Sequence, residues 1–257
     1  MTSEYLQNLK SLLTRMKEAD PDFRVFGSDI HGYALGPTLS ETELGNFEKI
    51  NNIVLPADYR LFLKEAGNGG TRIIPNLFMG NAGAGPYYGL LNLEEAREGC
   101  ELSKPFPFTE STESLSEEEM EWWFDADTYP GIPGGLALCH AGSGIIFWLI
   151  VRGEAYGTMW TGRETFSPTG LSFGAWYRAW ADKLVHRALP RLANERAIAG
   201  KIQLGMTKAE VIAICGGEWQ QKEWSNHNSQ LSFPHLSTQF ELDENEILTR
   251  IIAHDVY

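Results

Sequence analysis

The residues best placed for chemistry lie in Cys139-His140-Ala141-Gly142-Ser143-Gly144. A histidine three residues from a serine raises the question of a base and a nucleophile for acyl transfer. A nucleophile elbow requires glycine two residues to either side of the serine. Ala141 and Ile145 stand there instead, so a turn serine beside a buried, hydrogen-bonded histidine is the better reading. The glycine-rich Gly80–Gly85 invites a phosphate loop, but it lacks the Lys-Ser/Thr pair and a following helix. A structural loop is expected. The six histidines, His31, His140, His186, His227, His235 and His254, form no i,i+4 pair and no HExxH pattern. His227 and His235 could meet across a hairpin, but ordinary surface histidines are expected. Cys100, Cys139 and Cys215 are too few and too scattered for a disulfide framework or a zinc site. No catalytic set, cofactor site or metal site is expected, and the chain reads as a non-enzyme.

Charge is more informative. The 257 residues carry a net charge of −13. That disfavours nucleic acid, which is held by clustered Lys and Arg, and it disfavours anionic membrane surfaces. A basic protein partner suits it. Between Glu94 and Asp127 there are twelve acidic and two basic residues, so that segment alone contributes −10. Glu117-Glu118-Glu119 reads as a solvated helix face, since paired carboxylates do acid–base work only in unlike, partly buried settings. Trp122-Trp123-Phe124 is harder to account for. Adjacent aromatics on a helix point in different directions. They either bridge two layers of core or leave one tryptophan exposed as an interface anchor beside steering charges. Glu117, Glu118, Glu119, Glu121, Trp122, Asp125 and Asp127 are the expected partner-contact residues.

The elements that position these groups are legible in part. Helices are expected at Ser3–Ala19, Ser40–Asn51 (opened by a Ser40/Glu43 capping box) and Pro56–Ala66. Ser116 and Glu119 form another potential box. Gly135–His140 and Gly144–Val151 read as a buried hairpin, with Gly157–Trp160 a third strand. Phe173, Trp176, Tyr177, Trp180 and Leu184 mark an aromatic-faced helix that Ser172 caps and Pro190 interrupts. A smaller module starts at Lys201. Its helix is opened by a Thr207/Glu210 box and turns Val211, Ile214 and Cys215 inward. Strands follow at Trp219–Trp224, Gln230–Phe233, Thr238–Leu242 and Ile247–His254, with Asp243-Glu244-Asn245 as a turn. The first twenty residues form a mixed-charge amphipathic helix rather than a signal peptide, and no apolar run approaches the roughly 20 residues that cross a bilayer. A cytoplasmic chain is expected.

The helix at Leu55–Gly70 has a start and a stop. Pro56 and Asp58 suit a first turn, Leu55, Tyr59, Phe62, Leu63 and Ala66 form one apolar face, and Gly67 suits a left-handed C′ position. Leu55-Pro56, Tyr59, Phe62-Leu63 and Asn68-Gly69-Gly70 resemble the signature of the SMI1/KNR4 (SUKH) superfamily. Tyr88-Gly89-Leu90-Leu91-Asn92, Gly135–His140 and Gly157-Thr158-Met159-Trp160 follow in a similar order. The resemblance implies an α+β domain over 1–190, a mostly antiparallel sheet packed by helices. It also implies a bacterial immunity protein that neutralises a cognate toxin or secreted effector, a nuclease among the candidates, by direct contact. An interaction scaffold or signalling module is the alternative. No catalytic residues come with it. Leu204-Gly205-Met206-Thr207, Glu210-Val211 and Gly216 resemble the small module of outer-membrane assembly lipoproteins of the BamE/SmpA type. That implies a binding module over 201–257, a helix with antiparallel strands. No lipobox cysteine stands near the start, so no envelope role is carried over.

Overall fold

The computed structural model describes residues 1–74, 77–116, 131–163, 165–224 and 228–254. The fold is α+β with antiparallel sheets. The chain divides into two compact units. The first comprises Met1–Lys17 and Gly27–Asp182, the second Glu18–Phe26 and Lys183–Tyr257.

The first unit opens with α1 (Ser3–Ala19), which buries Leu6, Leu9, Leu12, Leu13 and Met16 at helical spacing. After the short α2 (Ser28–His31) comes α3 (Glu41–Asn51). Its capping box forms as expected: Ser40 Oγ accepts the Glu43 N–H, and the Glu43 carboxylate accepts the Ser40 N–H. The signature helix α4 (Ala57–Glu65) buries Tyr59, Phe62 and Leu63. A hairpin of β1 (Thr71–Ile74) and β2 (Leu77–Asn81) follows, then α5 (Leu93–Arg97). The strands β3 (Gly135–Gly142), β4 (Ile145–Ile150), β5 (Thr158–Gly162) and β6 (Phe166–Ser172) form an antiparallel meander in chain order. Trp148 pairs with Ala137 on one side and Trp160 on the other, and both tryptophans are sealed.

Helix α6 (Phe173–Lys183) closes this unit. Its Phe173 and Tyr177 rings lie 5.1 and 4.9 Å from Phe62. Aromatic contact therefore joins the signature helix to α6 and adds directional packing to the area both bury. Ser172 Oγ accepts the Ala175 N–H, the cap its sequence announces. Asp58 does more than face its own helix terminus. One carboxylate oxygen accepts the Gly174 N–H at 2.7 Å, in the first turn of α6.

In the second unit the expected break at Pro190 does not occur. A π turn, Leu184–Ala188, runs into α7 (Leu189–Ile198), and Leu189 N–H donates to Leu184 O, five residues back. Proline lacks an N–H and its ring crowds the carbonyl four residues earlier. A wider turn there relieves both problems, so the helix continues. Helix α8 (Lys208–Cys215) has its Thr207/Glu210 capping box in place. The strands β7 (Gln220–Glu223), β8 (Ser229–Ser232), β9 (Thr238–Leu242) and β10 (Leu248–Ala253) form an antiparallel sheet in the order β10-β9-β8-β7. Val211 and Cys215 of α8 join Leu231, Phe233, Phe240, Leu242 and Leu248 in one core. At the β9–β10 turn Asp243 Oδ1 accepts the N–H groups of Asn245 and Ile247, as an aspartate turn should.

Candidate functional site

The expected contact residues Glu117, Glu118, Glu119, Glu121, Trp122, Asp125 and Asp127 lie outside the described residues, as do Glu119 of the second expected capping box and His227. The flanks of that segment are described. On its N-terminal side Thr112 is fully buried. Its N–H donates to Phe166 O and its Oγ1 accepts the Phe166 N–H, both at 2.8 Å, which ties the chain to β6. On its C-terminal side Gly131 packs so close that a Cβ would stand 1.9 Å from Gly99 O. Of the described acidic residues in the preceding stretch, Glu94, Glu98, Glu101, Glu110 and Glu113 are exposed and Glu95 is half-buried.

The signature turn is a knot of backbone bonds. Asn68 O accepts the Gly36 N–H, Gly70 N–H donates to Leu90 O, and Asn92 N–H donates to Gly70 O. Asn68 Oδ1 accepts the N–H groups of Gly69 (3.0 Å) and Leu93 (2.9 Å), so it holds the first residue of α5. Asn92 Oδ1 accepts the Glu95 N–H and caps the same helix. Sequence reading misses α5, although Asn92 with Glu95 three residues on is a capping signal of the kind it uses elsewhere. Glycine is required here by crowding. A Cβ at Gly69 would meet Leu91 O at 2.1 Å. Gly67 does not take the expected left-handed conformation. Its φ is 158°, near extended, and a Cβ there would meet Gly36 O at 2.5 Å.

Two concavities flank α5. One, of about 370 Å³, is a groove between α3 and α5. Its walls include Glu43, Phe47 and Ile50 on α3, and Leu93, Glu94 and Arg97 on α5; Asn68 also lines it. The other, of about 390 Å³, shares Glu94 and Arg97 and continues to Glu95, Glu98 and Cys100. Phe47 and Leu93 are buried, whereas Ile50 is 79% exposed. Glu43 is held in place by Ser40, whose hydroxyl and N–H keep its carboxyl below the ordinary range. Arg97 lies 3.4 Å from Glu94, three residues back on α5.

The remaining candidates are occupied structurally. His140 Nδ1 accepts the Gly142 N–H inside the β3–β4 turn, its ring stacks on Tyr88, and burial pulls its pKa below the usual value. Ser143 sits in that turn at φ 51°, and its carbonyl accepts from Arg163. In the glycine-rich loop, Gly83 and Leu90 exchange both backbone bonds at 2.7 Å, and Ala84 O accepts from the Tyr177 hydroxyl. His235 Nε2 lies 3.1 Å from Cys215 O. Among the described residues no three His, Cys, Asp or Glu converge as a metal ion would need, and no helix is long and apolar enough to cross a membrane.

No family model, characterised protein or solved structure matches the chain.

Proposed function

We propose that this protein is an immunity protein that binds a cognate toxin or effector domain and neutralises it by direct contact. The observation that carries the reading is the signature at Leu55–Gly70, with the SUKH resemblance it bears. The charge supports it: −10 over Glu94–Asp127, with five of the six described carboxylates of that stretch exposed. A nuclease is the toxin class that fits best, because a site built to hold phosphate is basic and an acidic surface steers toward it. Glu117, Glu118, Glu119, Glu121, Trp122, Asp125 and Asp127 are proposed to make contact, with Trp122 as the apolar anchor.

Co-expression with the product of the adjacent gene tests this. The expected result is rescue of cell growth and a stoichiometric complex. Charge reversal at Glu117, Glu118 and Glu119 should slow association and flatten its salt dependence. An adjacent gene product that is harmless alone, with several micromolar partners recovered in place of one tight one, would replace this reading with that of an interaction scaffold.

A further inference from the structure

The groove between α3 and α5 combines features that ordinary surface does not need. Glu43, Phe47 and Ile50 fall at i, i+4 and i+7 on α3, so one helix face turns toward it. Ile50 is 79% exposed, and Val54, four residues on, is 67% exposed. A single exposed aliphatic residue is unremarkable. One that edges a groove between two helices, above a buried Phe47 and Leu93, supplies an apolar seat. The rim is negative. Glu43 and Glu94 border the groove, Glu95 and Glu98 the adjoining concavity, and Arg97 is the one cation among the described lining residues of both. The Glu43 charge is pre-positioned, since its carboxylate already accepts two bonds from Ser40.

We propose that this groove docks a basic amphipathic helix of a partner protein, with an aliphatic side chain seated against Phe47 and Ile50 and flanking Lys or Arg meeting Glu43 and Glu94. Charge complementarity selects the occupant: an apolar seat alone would accept many segments, but an acidic rim rejects acidic ones. A helix laid into a groove between helices presents anchors at the i, i+3, i+4 spacing that such a seat reads. The assignment rests on the binding reading above and deepens it. It adds contact residues outside the segment Glu117–Asp127, on a groove that Asn68 helps to line.

The probe is a fluorescein-labelled Lys/Leu amphipathic peptide of about four helical turns, titrated against the full chain by anisotropy. Micromolar binding that weakens with salt is expected. Ile50→Gln should weaken it about tenfold and Glu94→Gln about threefold, while Glu244→Gln, a matched charge loss on the β9–β10 turn, should leave it unchanged. A peptide with Glu for Lys should not bind. Equal affinity in wild type and Ile50→Gln, or equal weakening by Glu244→Gln and Glu94→Gln, overturns the groove. The co-expression assay separates the two readings. Loss of protection with Ile50→Gln supports the groove as the toxin's dock. Full protection by Ile50→Gln after the peptide is lost overturns it and leaves immunity standing. No protection by wild type, with peptide binding intact, overturns immunity and leaves the groove.

Discussion

Asn68 shows how much one side chain of the signature does. Its carbonyl oxygen holds the N–H groups of Gly69 and Leu93, joining the end of α4 to the start of α5. Asn68→Ala strips both partly buried amides of their acceptor. Each lost bond costs on the order of 1 kcal/mol, and an unsatisfied donor costs up to ~3. A loss of about 2–3 kcal/mol is therefore expected in urea denaturation. Asn68→Asp, which keeps the acceptor, should recover most of it. Were Asn68 a partner contact with no structural part, Asn68→Ala would weaken binding at unchanged stability. The neighbouring glycines make the same point sterically, because the backbones of Gly36, Gly69 and Leu91 approach too closely for any Cβ at Gly67 or Gly69.

At the scale of elements, the long helices and every strand of the two larger sheets except β6 were legible because their signals are local. Ser40 with Glu43, and Thr207 with Glu210, cap α3 and α8 as read. The Glu43 box has a pH signature. Its folded-state pKa lies below the ordinary 4.5, so the carboxylate stabilises the fold above that value. That contribution is lost as pH falls through the lower folded pKa. Wild type should thus melt above Glu43→Gln at pH 7 by circular dichroism, and the gap should narrow as pH falls below 4.5 and close once the folded-state carboxyl is protonated. A gap that does not narrow in acid would mean the charge is irrelevant. Helix α2, the β1–β2 hairpin, β6 and α5 escaped, and Pro190 was misread as a break. Helix α5 has five residues, too few to show a period. Pro190 signals a break by sterics, and a π turn accommodates it by a change of helical pitch that no residue pattern announces.

For the whole molecule, the notable feature is the chain path. Glu18–Phe26 belongs to the second unit although the first unit surrounds it in sequence. Asp20 accepts the Arg24 and Val25 N–H groups. Arg24 pairs with the buried Glu195, whose other oxygen accepts the Ser237 N–H at 2.6 Å and the Thr238 hydroxyl. Arg24 also donates to His254 O. Glu195→Ala leaves the half-buried Arg24 without its ion-pair partner and the buried Ser237 amide without its acceptor, a change that costs about 2–3 kcal/mol. Urea unfolding followed by fluorescence should show the second unit's transition move to lower denaturant, while Arg24→Met with Glu195→Gln, which keeps an acceptor for the Ser237 N–H, recovers most of the loss. Equal destabilisation by the double and single variants would show that the pair is not the linchpin. The resemblance-based boundaries at 190 and 201 mark where the sequence changes character. The compact units divide at Lys183 and recruit a segment some 160 residues upstream.

By itself the sequence determined the helix caps, the hairpin turn at Asp243, the buried strands, the acidic imbalance and the α+β class. These rest on interactions within a few residues or on composition, so they are readable in one dimension. Tertiary structure decided the rest. It made Asn68 a clasp for α5, Asp58 a cap for α6 and Glu195 an anchor for residues 18–26. It also placed Ile50 opposite Glu94 across a groove. Each of these joins groups far apart in the chain, and their types are ordinary until folding removes the water between them and makes every unpaired charge or amide costly.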